Sequence, residues 1–315
     1  AGLNANAIYV LELSSYQLDL VESLRCDVAV FLNISPDHLD RHGGMEGYVD
    51  AKKRIFANQR VRDAAIIGID DPHSQAMAMG RQRPGMGHVV QISSEFGLAR
   101  GVSAVDGHLF DSTGGQAIRV GNLAEAEALP GRHNHQNAAA AYAACHELGV
   151  APGRIMAAIR SFPGLPHRME FVGEVDGVRF VNDSKATNAQ AAEQALKTWP
   201  KVHWIAGGVA KAEGIEPLKP WFDRIEQAYL IGESEAAFAK TLKGSVEPVK
   251  CGTLEAATQA AFDAAKASDD PNPIVLLSPA CASFDQYKDF EARGDAFRTI
   301  VQSLMAQVTP RKEAV

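Results

Sequence analysis

The sequence predicts an α/β protein of two domains, on three observations. Short apolar runs ended by turn residues alternate with amphipathic stretches along most of the 315 residues, the pattern of βα units around a largely parallel sheet. The alternation breaks once, at "FPGLPHR" (162–168), where two prolines and a glycine crowd together, and then restarts. The length suits about two domains, each burying its own core. A boundary at Pro166 gives domains of 1–165 and 166–315.

In chain order, strands are expected at "AIYVLEL" (7–13), "VAVFLNI" (28–34) and "AAIIGI" (64–69). From Val89 to Val120 the pieces shorten between Gly, Asp and Ser, which suggests a small antiparallel excursion. Helices follow over "NHQNAAAAYAACHELG" and "GRIMAAIRSF". After the boundary, "VRFVNDS", "KVHWIAGG", "QAYLIGE" and "PIVLLSP" supply further strands.

Composition narrows the functional classes. Apolar residues are 46% and charged ones 22%, a globular profile. A net charge of −7 opposes a surface built to neutralise phosphate backbones, so no nucleic acid partner is expected. No apolar run reaches the roughly 18 residues of a membrane span, and no signal-peptide pattern opens the chain. Cys26, Cys145, Cys251 and Cys281 are widely spaced with no C-x-x-C pair, as expected of reduced thiols in a cytoplasmic protein. The chain opens without Met and soon enters an apolar run, so further chain ahead of Ala1 is expected.

In open parallel sheets, ligands collect beyond the carboxyl ends of strands. Glu12 lies one residue before the end of the first run and could hold a metal ion, or be incidental to a capping box of Ser14 and Gln17. After the second, Ser35 and Pro36 suit N-cap and N1 of a helix, with Asp37 in its first turn. His38 suits that positive helix end poorly if protonated, but a neutral imidazole is a metal ligand.

Lys52 shares a helix face with Tyr48, Ile55 and Phe56, while Lys53 and Arg54 project elsewhere into solvent. An amine on an apolar face tends to lose its proton and can then react with carbon dioxide to an anionic carbamate; a snorkelling side chain is the alternative.

The third turn, "NDSKATN", carries Asp183, Ser184 and Lys185, followed by a Thr187–Gln190 capping box. Asp183 suits ribose hydroxyls, and Lys185 or the nearby Arg168 suits phosphate; a polar turn is the plain alternative. The fourth, "SPACASFDQY", offers a Ser283–Gln286 capping box and free N–H groups for a carboxylate. Cys281 there has no base partner and reads as a packed thiol. Gly207 and Gly208 admit a ligand close to backbone, with Lys211 following. Asn134 and Asn137 lie three apart on one helix face, able to read an adenine edge or to cap.

In order, "ELSSYQLD", "NISPDHLDRH", "YVDAKKRIF", "LPGRHNHQNAAAA", "LPHRMEFV", "VNDSKATN" and "LLSPACASFDQYKDFEARGDAF" resemble the Mur ligase family of peptidoglycan synthesis, and the last block resembles its D-glutamate-adding branch. The resemblance implies the C-terminal part of a central, P-loop-type ATPase domain, followed by a Rossmann-like α/β domain that binds the amino acid. It implies an ATP-dependent ligase that activates UDP-N-acetylmuramoyl-L-alanine to an acyl phosphate and adds D-glutamate. Such an enzyme is expected to be a cytoplasmic monomer. Glu12 would hold a magnesium ion shared with ATP, and His38 with carbamylated Lys52 a second. Asn134 and Asn137 would meet adenine, Arg168 the phosphates and Asp183 the ribose. Lys185, Thr187, Lys211, Ser283, Phe284 and Phe290 would surround D-glutamate.

The sequence departs from the family in three places. Its N-terminal UDP-sugar domain and its G-K-[ST] phosphate loop are absent from these 315 residues, and "VAK" follows Gly208 without an acidic residue. Two other readings therefore stay open: a nucleotide-binding module without catalysis, and a related amide ligase of the folylpolyglutamate synthase kind. A nicotinamide oxidoreductase lacks its G-x-G-x-x-G fingerprint here.

Overall fold

The computed structural model describes residue 4 and residues 7–36, 39–82 and 85–308. They form two compact α/β units, Ala1–Glu125 with His133–Ser161, and Ala126–Arg132 with Phe162–Val315.

The first unit runs α1 (Ser15–Asp19), β1 (Val28–Phe31), α2 (Leu39–His42), α3 (Met45–Lys53), β2 (Ala64–Gly68), α4 (Pro72–Gly80), β3 (His88–Ser93), β4 (Val102–Val105), β5 (His108–Asp111), β6 (Ile118–Asn122), α5 (Arg132–Glu147) and α6 (Pro152–Ser161). Its sheet has the order β1-β2-β3-β4-β5-β6. The first four strands are parallel and the last two antiparallel. The antiparallel excursion thus begins after β4; His88–Ser93 remains parallel, because Ala64–Gly68 is already in place to pair with it. One face of the sheet is sealed by apolar residues of α3 and α4. There Tyr48, Val49, Met77 and Ala78 pack with Phe31, Ala65 and Ile67.

The run at 7–13 is not a strand. Residues 8–14 have no regular structure, and Ile8 and Val10 are 68% and 91% exposed. Strand propensity is realised only through pairing, and β1, at the sheet's end, pairs with β2 alone among the described residues. The predicted capping box does form: Ser14 caps α1 by accepting from Gln17 N–H, and Gln17 reaches back to Ser14 N–H. Ser35 and Pro36, read as N-cap and N1, lie in non-helical backbone ahead of α2.

The second unit contains β7 (Glu170–Val175), β8 (Val178–Asn182), α7 (Ala189–Thr198), β9 (Val202–Gly207), β10 (Ile225–Ile231), α8 (Glu235–Leu242), β11 (Pro248–Gly252), α9 (Leu254–Ala267), β12 (Ile274–Leu277) and α10 (Phe290–Val308), with a 3₁₀ helix at Glu216–Arg224. The strand order is β11-β10-β9-β12-β8-β7, parallel except for β7.

Alternate residues explain why both faces are covered. Trp204, Ala206, Leu230 and Leu276 pack with α7 and α8, while Ile205, Tyr229, Val275 and Leu277 pack with α9 and α10. Because β12 lies between β8 and β9, the connection after β12 leads to α10 on one face, and the connection after β8 leads to α7 on the other. That reversal opens a crevice at the strands' carboxyl ends.

Candidate active site

In the second unit, three turns meet at this crevice: Asp183–Asn188 after β8, Gly207–Lys211 after β9 and Ser278–Tyr287 after β12. Val209 and Ala282 exchange backbone hydrogen bonds of 2.9 and 3.0 Å, joining the second turn to the third. Their close approach explains the glycines. At Gly208, with φ +126°, a Cβ would fall 2.3 Å from the Ala282 carbonyl, so a side chain there is excluded by space as well as by backbone.

Asp183 anchors the first turn. It is 5% exposed, accepts from Met169 N–H at 3.1 Å on Oδ1 and from Ser278 Oγ at 2.8 Å on Oδ2. Burial pushes its carboxyl up to about 7 against the opposing pull of Ser278, Met169 and Arg168. Arg168 is exposed between two non-glycine residues of left-handed backbone, His167 (φ 60°) and Met169 (φ 47°). Such residues cost about 1–2 kcal/mol each, and here four groups hold them. His167 N–H donates to Glu170, its carbonyl accepts from Lys185 N–H at 3.0 Å, its ring packs edge-on to Phe290, and Met169 is tied to Asp183. The structure therefore brings Arg168, Asp183, Lys185 and Phe290 together. Lys185 Nζ lies 5.2 Å from the centre of the Phe290 ring.

Two predicted capping boxes are not formed. Thr187 donates its N–H to the Lys185 carbonyl, closing a tight turn that leaves Asn188 extended. Asn188 then caps α7 by accepting from Ala191 N–H at 2.9 Å, and Thr187 is half-buried beside it. Ser283 starts no helix, since its carbonyl closes a turn onto Gln286 and Tyr287. Gln286 instead donates to the Gly252 carbonyl at 2.7 Å, and α10 begins only at Phe290. Ser283 is 2% exposed, with its Oγ unpartnered among the described residues. Phe284 is 72% exposed. Lys211 is exposed beyond the Val209–Ala282 bridge. Cys281 is fully buried and its thiol is pushed up to about 11 by desolvation, an inert packed group.

In the first unit, α5 carries Asn134, which is buried, and Asn137, which is exposed and donates to Asn134 Oδ1 at 3.4 Å. Between them Gln136 fixes the helix over the strand ends: it donates to Asp70 at 2.9 Å and accepts from Asn33 at 3.2 Å. Lys52 is half-buried, its Nζ 5.2 Å from the Tyr48 ring centre. Lys53 is exposed and pairs with Asp50. Arg54 is not simply solvated, for it is half-buried and donates to the Val21 carbonyl at 2.6 Å. The expectation of a solvated basic run overlooked that carbonyl, thirty-three residues back in the chain.

Glu12 is exposed on irregular backbone just ahead of α1. Asp37 and His38 lie outside the described residues. Among the described residues no group of three or more His, Cys, Asp or Glu could hold a metal. A carboxylate such as Glu12 suits a hard cation, whereas the Lys52 amine would do so only once converted to an oxygen donor.

Residues 3–145 match the family model of the Mur ligase middle domain, and residues 167–281 that of the Mur ligase, glutamate ligase domain. The chain belongs to the Mur ligase family. This Mur ligase chain is 55% identical over 304 residues to the UDP-N-acetylmuramoylalanine--D-glutamate ligase of Caulobacter vibrioides, covering 96% of the chain and 64% of that relative. It is 54% identical over 296 residues to the same-named ligase of Rhodospirillum rubrum, covering 94% and 62%. It thus spans just under two thirds of the length of these relatives.

Solved structures share the fold at lower identity. UDP-N-acetylmuramate-alanine ligase of Thermotoga maritima superposes with TM-score 0.60 at 16% identity, covering 88% of this chain and 60% of the other. A MurF ligase from the same organism, in complex with ADP, gives 0.58 at 18%, covering 89% and 62%. No helix among the described residues is long and apolar enough to cross a membrane.

Sequence reasoning placed Ser184 in its turn without a role and did not single out His167, Ser278 or Arg293, which support the crevice, nor Gln136 and Asp70. The only signal was position: Ser184 and Ser278 stand in the last residues of the predicted runs "VRFVNDS" and "PIVLLSP", and "EARGDAF" carries an arginine.

Proposed function

We propose that these residues form the central and C-terminal parts of an ATP-dependent ligase that joins D-glutamate to UDP-N-acetylmuramoyl-L-alanine. The observation that carries this reading is the interlocked set of turns at the β8–β12–β9 crevice. Lys185 lies there over the Phe290 ring, and Lys211 and Ser283 follow the bridged residues Val209 and Ala282, in a chain about 55% identical to enzymes bearing that name. Two exposed lysines on turns that meet at one crevice suit a small dicarboxylate.

In this reading the L-alanyl carboxylate takes the γ-phosphoryl group of ATP, ADP leaves, and the D-glutamate amine attacks the acyl carbon with loss of phosphate and a proton. Asn134 and Asn137 read adenine, Arg168 meets the phosphates, and Asp183 holds the ribose through lone pairs not used by Met169 and Ser278. Lys185, Thr187, Lys211, Ser283, Phe284 and Phe290 orient D-glutamate. Two magnesium ions would neutralise phosphoryl and carboxylate oxygens, one held by Glu12 and one by His38 with Lys52 as its carbamate. The enzyme is read as a cytoplasmic monomer.

The test is ADP release by the longest reading frame containing these residues. Release that requires both D-glutamate and the UDP-muramoyl-L-alanine substrate is expected. Release driven by folate and L-glutamate, or none with either pair, would overturn the assignment. The 315-residue chain alone is expected to release none, since it contains no G-x-x-x-x-G-K-[ST] run.

A further inference from the structure

Arg293, in the first turn of α10, is 1% exposed. Its guanidinium faces no carboxylate in any ion pair among the described residues, and burial pushes it down to about 10. Its partners are uncharged oxygens on two different turns. Nε donates to Ser184 Oγ at 3.0 Å, and Nη2 donates to the Ser184 carbonyl at 2.8 Å and the Cys281 carbonyl at 3.0 Å. The third nitrogen, Nη1, has no partner among the described residues and faces Gly208, where a Cβ would stand 3.3 Å away. One planar group therefore touches all three turns of the crevice. Ser184 passes the tie back to α10 by donating its hydroxyl to the Phe290 carbonyl at 2.8 Å.

Burying an arginine that makes no ion-pair contact, with Asp285 acting on it only through space, is a poor route to stability, since an apolar side chain of similar volume often does as well or better. What a guanidinium uniquely offers is a rigid fork that fixes the distance between several acceptors. Here the acceptors are the residue before Lys185 and the residue two before Ser283, and the neighbour is the glycine three before Lys211.

We propose that Arg293 is the positioning residue of the amino-acid site, setting the spacing of Lys185 and Thr187, of Lys211, and of Ser283 and Phe284 around the substrate carboxylates. The inference rests on the D-glutamate reading above. Arg293 itself is sealed from the crevice and touches no substrate.

The experiment is steady-state kinetics of the longest reading frame containing the chain, with R293M, R293K and S184A. A D-glutamate KM raised roughly tenfold or more in R293M is expected, with the ATP KM within about twofold of wild type. R293K should fall between wild type and R293M, and S184A, which removes one acceptor, should show a smaller rise. An unchanged D-glutamate KM, or equal rises for both substrates, would overturn the positioning role. So would a loss of active enzyme with native KM values, the mark of a purely structural arginine. If R293M does not fold, R293K and S184A decide by the same criteria. Wild-type enzyme that ignores D-glutamate instead refutes the substrate reading and is seen before any variant is made.

Discussion

The backbone N–H of Met169 donates to Asp183 Oδ1 at 3.1 Å, so the turn that displays Arg168 is held by a carboxylate fourteen residues further on. One hydrogen bond thus ties the residue proposed for the ribose to the neighbour of the residue proposed for the phosphates. It also requires an acceptor that is buried and costly to ionise.

Asp183→Asn tests that cost through pH. The folded carboxyl titrates near 7 against an ordinary 3.8, so the folded state keeps its proton where the unfolded chain loses it. Stability from this group is fully present below about pH 4 and is lost as pH rises through 7, up to about 4 kcal/mol in all. Asparagine preserves an acceptor for Met169 and cannot ionise. Urea unfolding of the 315-residue chain should show the variant gaining on wild type between pH 5 and 8. A constant difference across that range would contradict the burial argument.

Gly294→Ala sets helix propensity against packing. Alanine is worth roughly 1 kcal/mol over glycine inside a helix, yet its Cβ would fall 2.1 Å from His167 Nδ1. That ring is already confined by Asn182 and Phe290, so overpacking of about 1–3 kcal/mol should win. A net loss of stability in urea is expected, with weaker nucleotide binding as the Arg168 turn shifts. A variant more stable than wild type would show that His167 yields freely.

Lys52→Ala tests the proposed carbamate. In the longest reading frame containing the chain a fall in kcat on the order of 100-fold or more is expected, the scale of losing one group that stabilises transition-state charge. Added acetate or formate should recover part of it by supplying the missing anion. Retained activity without any carboxylate would remove Lys52 from the metal site.

Much of the fold was legible because it is written in local periodicity. The strands beginning at Val28, Ala64, Val178, Val202 and Ile274 lie within predicted apolar runs, the one beginning at Ile225 starts two residues ahead of its run, and the spacing of Tyr48, Lys52 and Phe56 alone put the lysine beside an aromatic ring. The run at 7–13 misled for the same reason, since apolar alternation describes a capacity to pair and not the presence of a partner. Thr187 and Ser283 misled because a capping motif records chemistry that several neighbours could perform, and Asn188 was better placed.

By itself, then, the sequence determined the α/β class, the family and the strand-end turns where the candidate residues sit. Only the tertiary structure decided which of those residues are displayed and which are spent as supports. Asp183 proved to be buried against Ser278, ninety-five residues away, and Arg293 to hold Ser184 across one hundred and nine. The reason is physical. Periodicity reflects which face of an element meets the core, a property of neighbours in the chain. A buried polar group must instead find its hydrogen-bond partners wherever the topology brings them, and the reversal at β12 brought these together.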